Sequence, residues 1–173
     1  ILGGMFQVFV IFGLHWGLTP LALTSMAAVG YDNIIPTAMP AAFVQTATVL
    51  AVYLKSKDEK LKKVALPAVI SGLFGITETA IYGVTLPKKK PFVISCLASA
   101  VSGAIMGALG VKRYSMGGLG IFALATYLNP ETQSFYDVGW SIVAILVGMV
   151  VSFAITFITY KDEPVAEKAA VEE

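Results

Sequence analysis

Glu78 is the residue of this sequence best placed for chemistry, because it is the one charged side chain in the apolar stretch 64–87. A carboxylate at membrane depth is costly unless it faces a partner or a cavity, so it is a candidate functional residue. Its two oxygens can accept hydrogen bonds from two neighbouring hydroxyls, which suits a sugar. Thr77 precedes it in the run GITET, where broken helix ends would expose free N–H groups to a ligand. The structural alternative is that Glu78 caps a short helix or lies near the head groups.

His15 and Trp16 form the second candidate pair, in the run GLHWGLTP. An imidazole can donate to or accept from a hydroxyl, and an indole offers a flat apolar face on which a pyranose ring can stack. Each residue also has a structural interpretation, the histidine as a helix-end residue and the tryptophan as part of the interfacial aromatic belt. The residues alone leave both interpretations open.

Other notable residues favour structural roles. Asp32 stands among turn formers in GYDNIIP, which is typical of an Asx turn or cap. Cys96 lies in an apolar stretch without nearby basic residues, so we expect an unreactive thiol. Gly103 and Gly107 form a GxxxG pattern that predicts a close helix contact.

Known motifs of other chemistries are missing from the sequence. There is no Walker-type phosphate loop, no histidine and carboxylate pair at metal-ligand spacing and no Gly-x-Ser-x-Gly elbow. The single cysteine excludes an internal disulfide framework. We therefore expect no catalytic nucleophile, no metal, no cofactor and no nucleic-acid partner.

Composition predicts that these residues are carried by membrane helices. Hydrophobic residues make up 57% of the chain and charged residues 13%, against roughly half and a quarter in a soluble domain. A spanning helix needs roughly 20 mostly apolar residues, and three stretches qualify while a fourth, 1–14, is short. We predict an all-α polytopic membrane protein with spans at 37–54, 92–111 and 138–160.

Two short lysine clusters decide how the segment between them is interpreted. They lie at 55–63 (KSKDEKLKK) and 88–90 (KKK), on either side of 64–87. Lysine and arginine tend to stay cytoplasmic, and a crossing segment would place the clusters on opposite faces. Prolines and glycines interrupt 64–87, and irregular backbone at membrane depth needs protein or a water-filled cavity around it. We therefore predict a re-entrant hairpin.

The predicted topology follows from this hairpin. We predict that 1–14 runs outward and that 37–54 returns to the cytoplasmic side. The span 92–111 then runs outward and the span 138–160 returns, which leaves the C-terminus in the cytoplasm. Lys112, Arg113 and the polar stretch 129–137 then fall on the outer face.

The two ends of the chain indicate a piece of a longer protein. The sequence begins ILGGMFQ, without an initiator methionine, a basic segment or a cleavage site, so we expect a chain cut from a larger one. Residues 161–173 are charged and poor in large apolar groups, which is typical of a solvated linker or a disordered tail.

Two segments carry a resemblance to a known family. GLFGITETAIYGVTLPKKKPF (72–92) resembles the membrane-embedded IIC permease of the bacterial phosphoenolpyruvate-dependent sugar phosphotransferase system, glucose superfamily, although the family often has proline where this chain has Thr79. GLHWGLTPLALTSM (13–26) resembles the β-glucoside permeases. The resemblance covers 1–160 and corresponds to the C-terminal, substrate-binding half of the IIC domain.

The resemblance implies a function and a set of partners. A β-glucoside would be gripped by Glu78 and His15 and carried across the bacterial cytoplasmic membrane for phosphorylation by a separate IIB domain, with IIA as the other partner and a homodimer formed through the N-terminal half. The phosphoryl-bearing cysteine belongs to IIB, so Cys96 has no such role. Two alternatives remain: an ion-coupled secondary transporter with Glu78 as proton carrier, and a non-transporting membrane subunit.

Overall fold

The computed structural model describes residues 1–162, and most of this range is helical. Among these residues the only β-type pairing is an isolated bridge between Asp32 and Arg113, so the all-α prediction is confirmed. Of the predicted tail 161–173, all but the first two residues lie outside the described residues. The α-helices are α1 Leu2–Ile11, α2 Leu18–Val29, α3 Ile35–Ala38, α4 Pro40–Lys55, α5 Glu59–Leu73, α6 Glu78–Ala80, α7 Leu86–Lys88, α8 Lys90–Ala108 and α9 Tyr136–Thr159, with 3₁₀ helices at Leu14–Gly17 and Gly120–Tyr127 and a π-helical turn at Ile81–Thr85.

Within residues 1–162, three helices are long and apolar enough to cross a membrane: Ile35–Lys55 (α3 with α4), Lys90–Ala108 and Tyr136–Thr159. They correspond to the three predicted spans. Helix α4 lies at the centre, where Val44, Val49 and Val52 have no exposed surface. Helix α9 buries one face and leaves large apolar side chains such as Leu146 and Val150 exposed on the other, as a lipid-facing helix requires.

Glycines allow α1 to lie directly against α8. A side chain at Gly3 would begin 2.7 Å from the carbonyl oxygen of Ser99 and 3.1 Å from the Cα of Gly103. The helix contact predicted for the GxxxG pattern is therefore confirmed at Gly103. Gly107 contributes less, because its nearest neighbour is the Thr37 methyl group, 3.7 Å from the position of an added Cβ.

The direction of the first helix differs from the prediction. Gly3 lies beside the carbonyl oxygen of Thr37, and Gln7 Nε2 donates to the carbonyl oxygen of Ala41 at 3.4 Å. From Gly3 to Gln7 along α1, the contacted residue moves from Thr37 in α3 to Ala41 in α4. Helix α1 therefore runs in the same direction as α3 and α4, and the predicted outward course of 1–14 is wrong. Helix α2 supplies the reversal. It was missed because its short sequence mixes Thr, Ser and Pro with apolar residues and never forms a long apolar run.

The segment predicted to be re-entrant is a helix–turn–helix, which we call the first hairpin (59–88). Asp58 caps its first limb by accepting from Lys60 N at 3.0 Å, and the limb ends at Leu73. The second limb runs back through α6, the π-helical turn and α7, with Gly83 facing Val64. Helix α5 has 15 residues, about 22 Å of helix, so it is shorter than the roughly 30 Å hydrocarbon core.

A second hairpin (113–127) lies in a region that the sequence placed on the outer face. Tyr114 N donates to the carbonyl oxygen of Thr126 at 2.9 Å, which closes its base. Tyr127 is fully buried among Met106, Val111 and Ala144. The segment therefore folds back into the helices.

The two ends of the bundle are held by polar contacts of different kinds. At the end that carries the lysine clusters, Lys55 donates to the carbonyl oxygen of Ile158 at 3.1 Å, and Asp162 accepts from Ser56 Oγ and Lys57 N, both at 2.7 Å. Slight burial raises the pKa of Asp162, but these hydrogen bonds lower it more, so its pKa lies below the usual range. We call this the lysine-rich end; the Asp32–Arg113 bridge lies at the other.

Candidate functional site

One cavity of about 690 Å³ brings the predicted site residues together. Glu78, Thr77, His15 and Trp16 all line it, although they come from two separate segments of the chain. The remaining lining residues come from α1, the start of α2, α3, the turn that precedes Thr77 and the second hairpin, and most are apolar or glycine: Phe6, Val10, Leu18, Thr19, Ile35, Phe74, Gly75, Ile76, Arg113, Met116, Gly117, Gly118, Leu119 and Phe122.

A glycine-dependent helix end positions Glu78. Gly75 has φ +87°, and its N–H donates to the carbonyl oxygen of Gly72 at 3.0 Å while Ile76 N–H donates to that of Ser71 at 3.0 Å. This is the Schellman arrangement, in which glycine supplies the left-handed residue. The chain then turns through Thr77, which is buried, into the second limb at Glu78. The tip of the first hairpin (74–78) thus holds the carboxylate at the cavity.

The Glu78 carboxylate is available to a ligand. It is exposed, and within residues 1–162 it makes no hydrogen bond or ion pair. Its helix carries no side-chain cap, so the capping alternative for Glu78 has no support in the geometry.

His15 lies in the 3₁₀ turn Leu14–Gly17, which follows Gly13 at φ +70°. Its ring contacts those of Phe6 and Trp16, with centroid distances of 6.1 Å and 5.6 Å. His15 Nδ1 is buried and has no hydrogen-bond partner in the described part of the chain. Trp16 is 73% exposed, so its ring faces open space beside the cavity.

A tyrosine on the first hairpin fixes this turn in place. Tyr82 Oη donates to the carbonyl oxygen of Ile11 at 3.1 Å, which joins the end of α1 to the second limb of the hairpin. The turn that carries His15 and the tip that carries Glu78 are therefore positioned against each other by one contact between distant parts of the sequence.

The second hairpin forms a wall of the cavity that the sequence did not predict. Its tip (117–120) lies against the tip of the first hairpin, and a side chain at Gly75 would begin 2.5 Å from Gly120 N. Phe122 stacks on Phe74 with centroids 6.0 Å apart. The available signal was the glycine-rich run YSMGGLG, because glycines mark places where backbones approach closely.

Arg113, at the base of the second hairpin, is a lining residue that was also missed. It is 7% exposed, and its Nη2 lies 3.7 Å from Asp32 Oδ2. Asp32 Oδ1 and Oδ2 also accept from Ile34 N at 2.8 Å and Ile35 N at 3.2 Å. The turn-capping role predicted for Asp32 is confirmed. Arg113 lies at the end of the bundle opposite the lysine-rich end, but it is buried beside the cavity rather than exposed in a loop.

Cys96 lies away from this cavity. Its sulfur is 3.8 Å from Gln7 Oε1, in the contact between α8 and α1, and it is not a lining residue. Its unreactive character stays a prediction.

Comparison with known proteins identifies several relatives. At 52% identity the chain matches the PTS system beta-glucoside-specific EIIBCA component of Halalkalibacterium halodurans, over 82% of this chain and 22% of that protein. At 38% it matches the component of the same name from Dickeya chrysanthemi, over 92% of this chain and 24% of that protein. At 35% it matches the PTS system N-acetylmuramic acid-specific EIIBC component of Photorhabdus laumondii, over 92% of this chain and 32% of that protein.

The relatives named here are several times longer than this chain. The chain spans between 22% and 33% of the length of the curated relatives it matches, and no solved structure matches it. The family model described as "Phosphotransferase system, EIIC" matches residues 1–100. On the family model and these relatives together, the chain belongs to the EIIC family of the phosphotransferase system.

Proposed function

We propose that this chain is the sugar-binding half of a membrane permease of the phosphoenolpyruvate-dependent phosphotransferase system, and that it carries a β-glucoside to the cytoplasmic face for phosphorylation by IIB. The observation that carries the proposal is the convergence of Glu78, Thr77, His15 and Trp16 on one cavity. The names of the relatives from Halalkalibacterium and Dickeya support the substrate class.

The cavity has the chemistry that a neutral, hydroxyl-rich solute needs. Glu78 accepts from sugar hydroxyls, His15 exchanges a hydrogen bond with another hydroxyl, and Trp16 covers one face of the ring. The apolar residues that make up most of the lining fit the apolar faces of the sugar and its aglycone. A volume of about 690 Å³ lies within the range of about 300–1,000 Å³ usual for small-molecule sites.

The partners and the orientation are part of the same proposal. The names EIIBCA and EIIBC of the relatives support IIA and IIB as the phosphoryl-transferring partners. In our proposal residues 1–160 are the C-terminal half of the IIC domain and 161–173 are a linker. The lysine-rich end and the C-terminus face the cytoplasm of a bacterium, and the homodimer forms through the N-terminal half.

The test is phosphoenolpyruvate-dependent uptake of a labelled β-glucoside by vesicles that carry the intact parent permease with its IIA and IIB activities. We expect Glu78→Gln to reduce sugar capture about 10- to 100-fold, because a hydrogen bond to a charged group contributes about 1.5–3 kcal/mol. The matched control is Glu59→Gln, which neutralises an exposed carboxylate at the lysine-rich end and should leave uptake unchanged.

Three results would overturn the proposal. The first is normal uptake by Glu78→Gln at wild-type membrane abundance. The second is uptake of unmodified sugar that follows the proton gradient and ignores phosphoenolpyruvate, which would make Glu78 a proton carrier. The third is equal loss in Glu59→Gln.

A further inference from the structure

We propose that Arg113 is a ligand-contacting, specificity-determining residue: its guanidinium donates a hydrogen bond to a hydroxyl of the sugar, and Asp32 offsets its charge so that the cavity favours neutral sugars. This inference rests on the proposed function, because it assigns a second wall to the same cavity. The observations that carry it are the burial of Arg113, its unsatisfied donor and its place in the lining.

The guanidinium of Arg113 contains one donor that no other group in the described part of the chain satisfies. Arg113 Nε is buried and has no hydrogen-bond partner among residues 1–162. A buried donor without a partner costs about 1–3 kcal/mol, and native structures leave few such groups. Since Arg113 lines the cavity, a sugar hydroxyl bound there could accept from this side chain.

A structural role accounts for only part of the side chain. Its Nη2 donates to Met116 Sδ and lies near Asp32, which leaves Nε without a partner among the described residues. The loop before α3 and the segment after α8 are already joined by two backbone hydrogen bonds, from Asp32 N to the Arg113 carbonyl oxygen and from Arg113 N to that of Asp32, both at 2.8 Å. The ion pair between the two side chains is long, at 3.7 Å. The backbone thus accounts for the joint between the loops.

Asp32 determines the charge of the ligand that fits. Its side chain has no exposed surface, and an unpaired buried charge is strongly unfavourable, so the carboxylate and guanidinium act as a pair. The paired guanidinium keeps its N–H donors but loses much of its attraction for an anion. A neutral hydroxyl is therefore the preferred acceptor.

The two walls of the cavity are chemically complementary. Glu78 on the first hairpin can only accept when ionised, and Arg113 on the second hairpin can only donate. A sugar hydroxyl does both. Glu78 and Arg113 contact different hydroxyls of the sugar. The two contacts together therefore orient the pyranose ring more tightly than either contact alone.

The experiment measures equilibrium binding of methyl β-D-glucoside and its four monodeoxy analogues to the intact parent permease in membranes. It compares wild type with Arg113→Lys, which keeps the charge beside Asp32 but loses Nε. We expect the variant to bind the parent glucoside about tenfold more weakly. One deoxy analogue, which lacks the hydroxyl that Arg113 contacts, should bind wild type and variant equally.

A second variant protects the test against failure to fold. Asp32→Asn combined with Arg113→Gln replaces the ion pair with two amides, and asparagine is also an effective helix cap. The deoxy analogue that binds wild type and Arg113→Lys equally should also bind this double variant as tightly as wild type, while the other sugars should bind it more weakly. A third variant, Asp32→Asn alone, leaves the charge of Arg113 uncompensated, so methyl β-D-glucuronide should gain affinity relative to the glucoside.

The outcomes separate this inference from the proposed function. If all five sugars lose the same factor in Arg113→Lys, or none loses affinity, the contact is absent and the inference is overturned. The proposed function then still stands if Glu78→Gln weakens sugar binding as expected above. If wild type binds none of these sugars and Glu78→Gln changes nothing, the proposed function fails, and this inference fails with it.

Discussion

At the scale of single residues, the site is marked by polar groups that the protein leaves unsatisfied. Buried polar atoms nearly always have partners, yet His15 Nδ1 and Arg113 Nε have none within residues 1–162, and both residues line the cavity that contains Glu78. Other buried atoms without a hydrogen-bond partner, such as Ser102 Oγ, lie between helices and away from the cavity. The combination of an unsatisfied atom and a cavity is therefore more informative than either observation alone.

Substitution of His15 tests whether this histidine contacts the sugar. We expect His15→Ala to weaken binding of the β-glucoside about five- to tenfold, because one neutral hydrogen bond contributes about 1 kcal/mol. His15→Asn should recover part of the loss, since its amide can place a donor and an acceptor near the position of Nδ1. Titration of the sugar against the parent permease in membranes measures both. Wild-type affinity in the alanine variant would show that His15 is structural.

At the scale of elements, the site depends on the contact between the tips of the two hairpins. Gly75 and Gly120 meet there, and both have positive φ values, +87° and +54°. A side chain at Gly120 would overlap the backbone of Leu73 and Phe74. The second tip can therefore support the tip that carries Glu78 only with glycine at this position.

Substitution of this glycine tests the contact. Gly120→Ala should push the tips apart and weaken sugar binding more than tenfold, because small displacements of binding groups are costly. The matched control is Gly110→Ala, where φ is +62° but nothing lies within 4 Å of an added Cβ. We expect the control to lose about 1–2 kcal/mol of stability and to keep its sugar affinity. Equal losses of affinity in the two variants would contradict the proposed contact.

At the scale of the whole molecule, the bundle has two chemically different ends. Lysines and Asp162 hold the ends of α4 and α9 together at one end. At the other, Asp137 Oδ1 accepts from Lys112 N at 2.8 Å, close to the bridge between Asp32 and Arg113. The first limb of the first hairpin begins at the lysine-rich end and the second limb returns to it, which is the arrangement expected of a re-entrant hairpin.

The sidedness of the hairpin can be measured by cysteine labelling. In a permease otherwise free of cysteine, Cys96→Ser included, single cysteines replace Lys60, Lys89 or Thr132, all of which are exposed. A membrane-impermeant maleimide should label the first two from the cytoplasmic face and the third from the opposite face. Labelling of positions 60 and 89 from opposite faces would mean that 64–87 crosses the membrane and that the re-entrant arrangement is wrong.

The sequence alone determined those features that depend on local hydrophobicity and on isolated charge. The three long helices were predictable because each span is a continuous apolar run. Glu78 stood out because it is the lone charge in such a run, and the lysine clusters on either side indicated a hairpin. The family motifs in 13–26 and 72–92 added His15 to the site.

The tertiary structure decided which segments meet, and this is why the second wall could not be predicted. The glycines of the run YSMGGLG indicate close backbone contact, but neither they nor Arg113 indicate which distant segment is contacted. They become part of the cavity because Gly120 fits against Gly75 and because Asp32, 81 positions earlier, offsets the charge of a buried guanidinium. The course of α1 was likewise decided by glycines that let it pack along α8. Close backbone contact and charge pairing join residues distant in the chain, so they leave no periodic signal in the sequence.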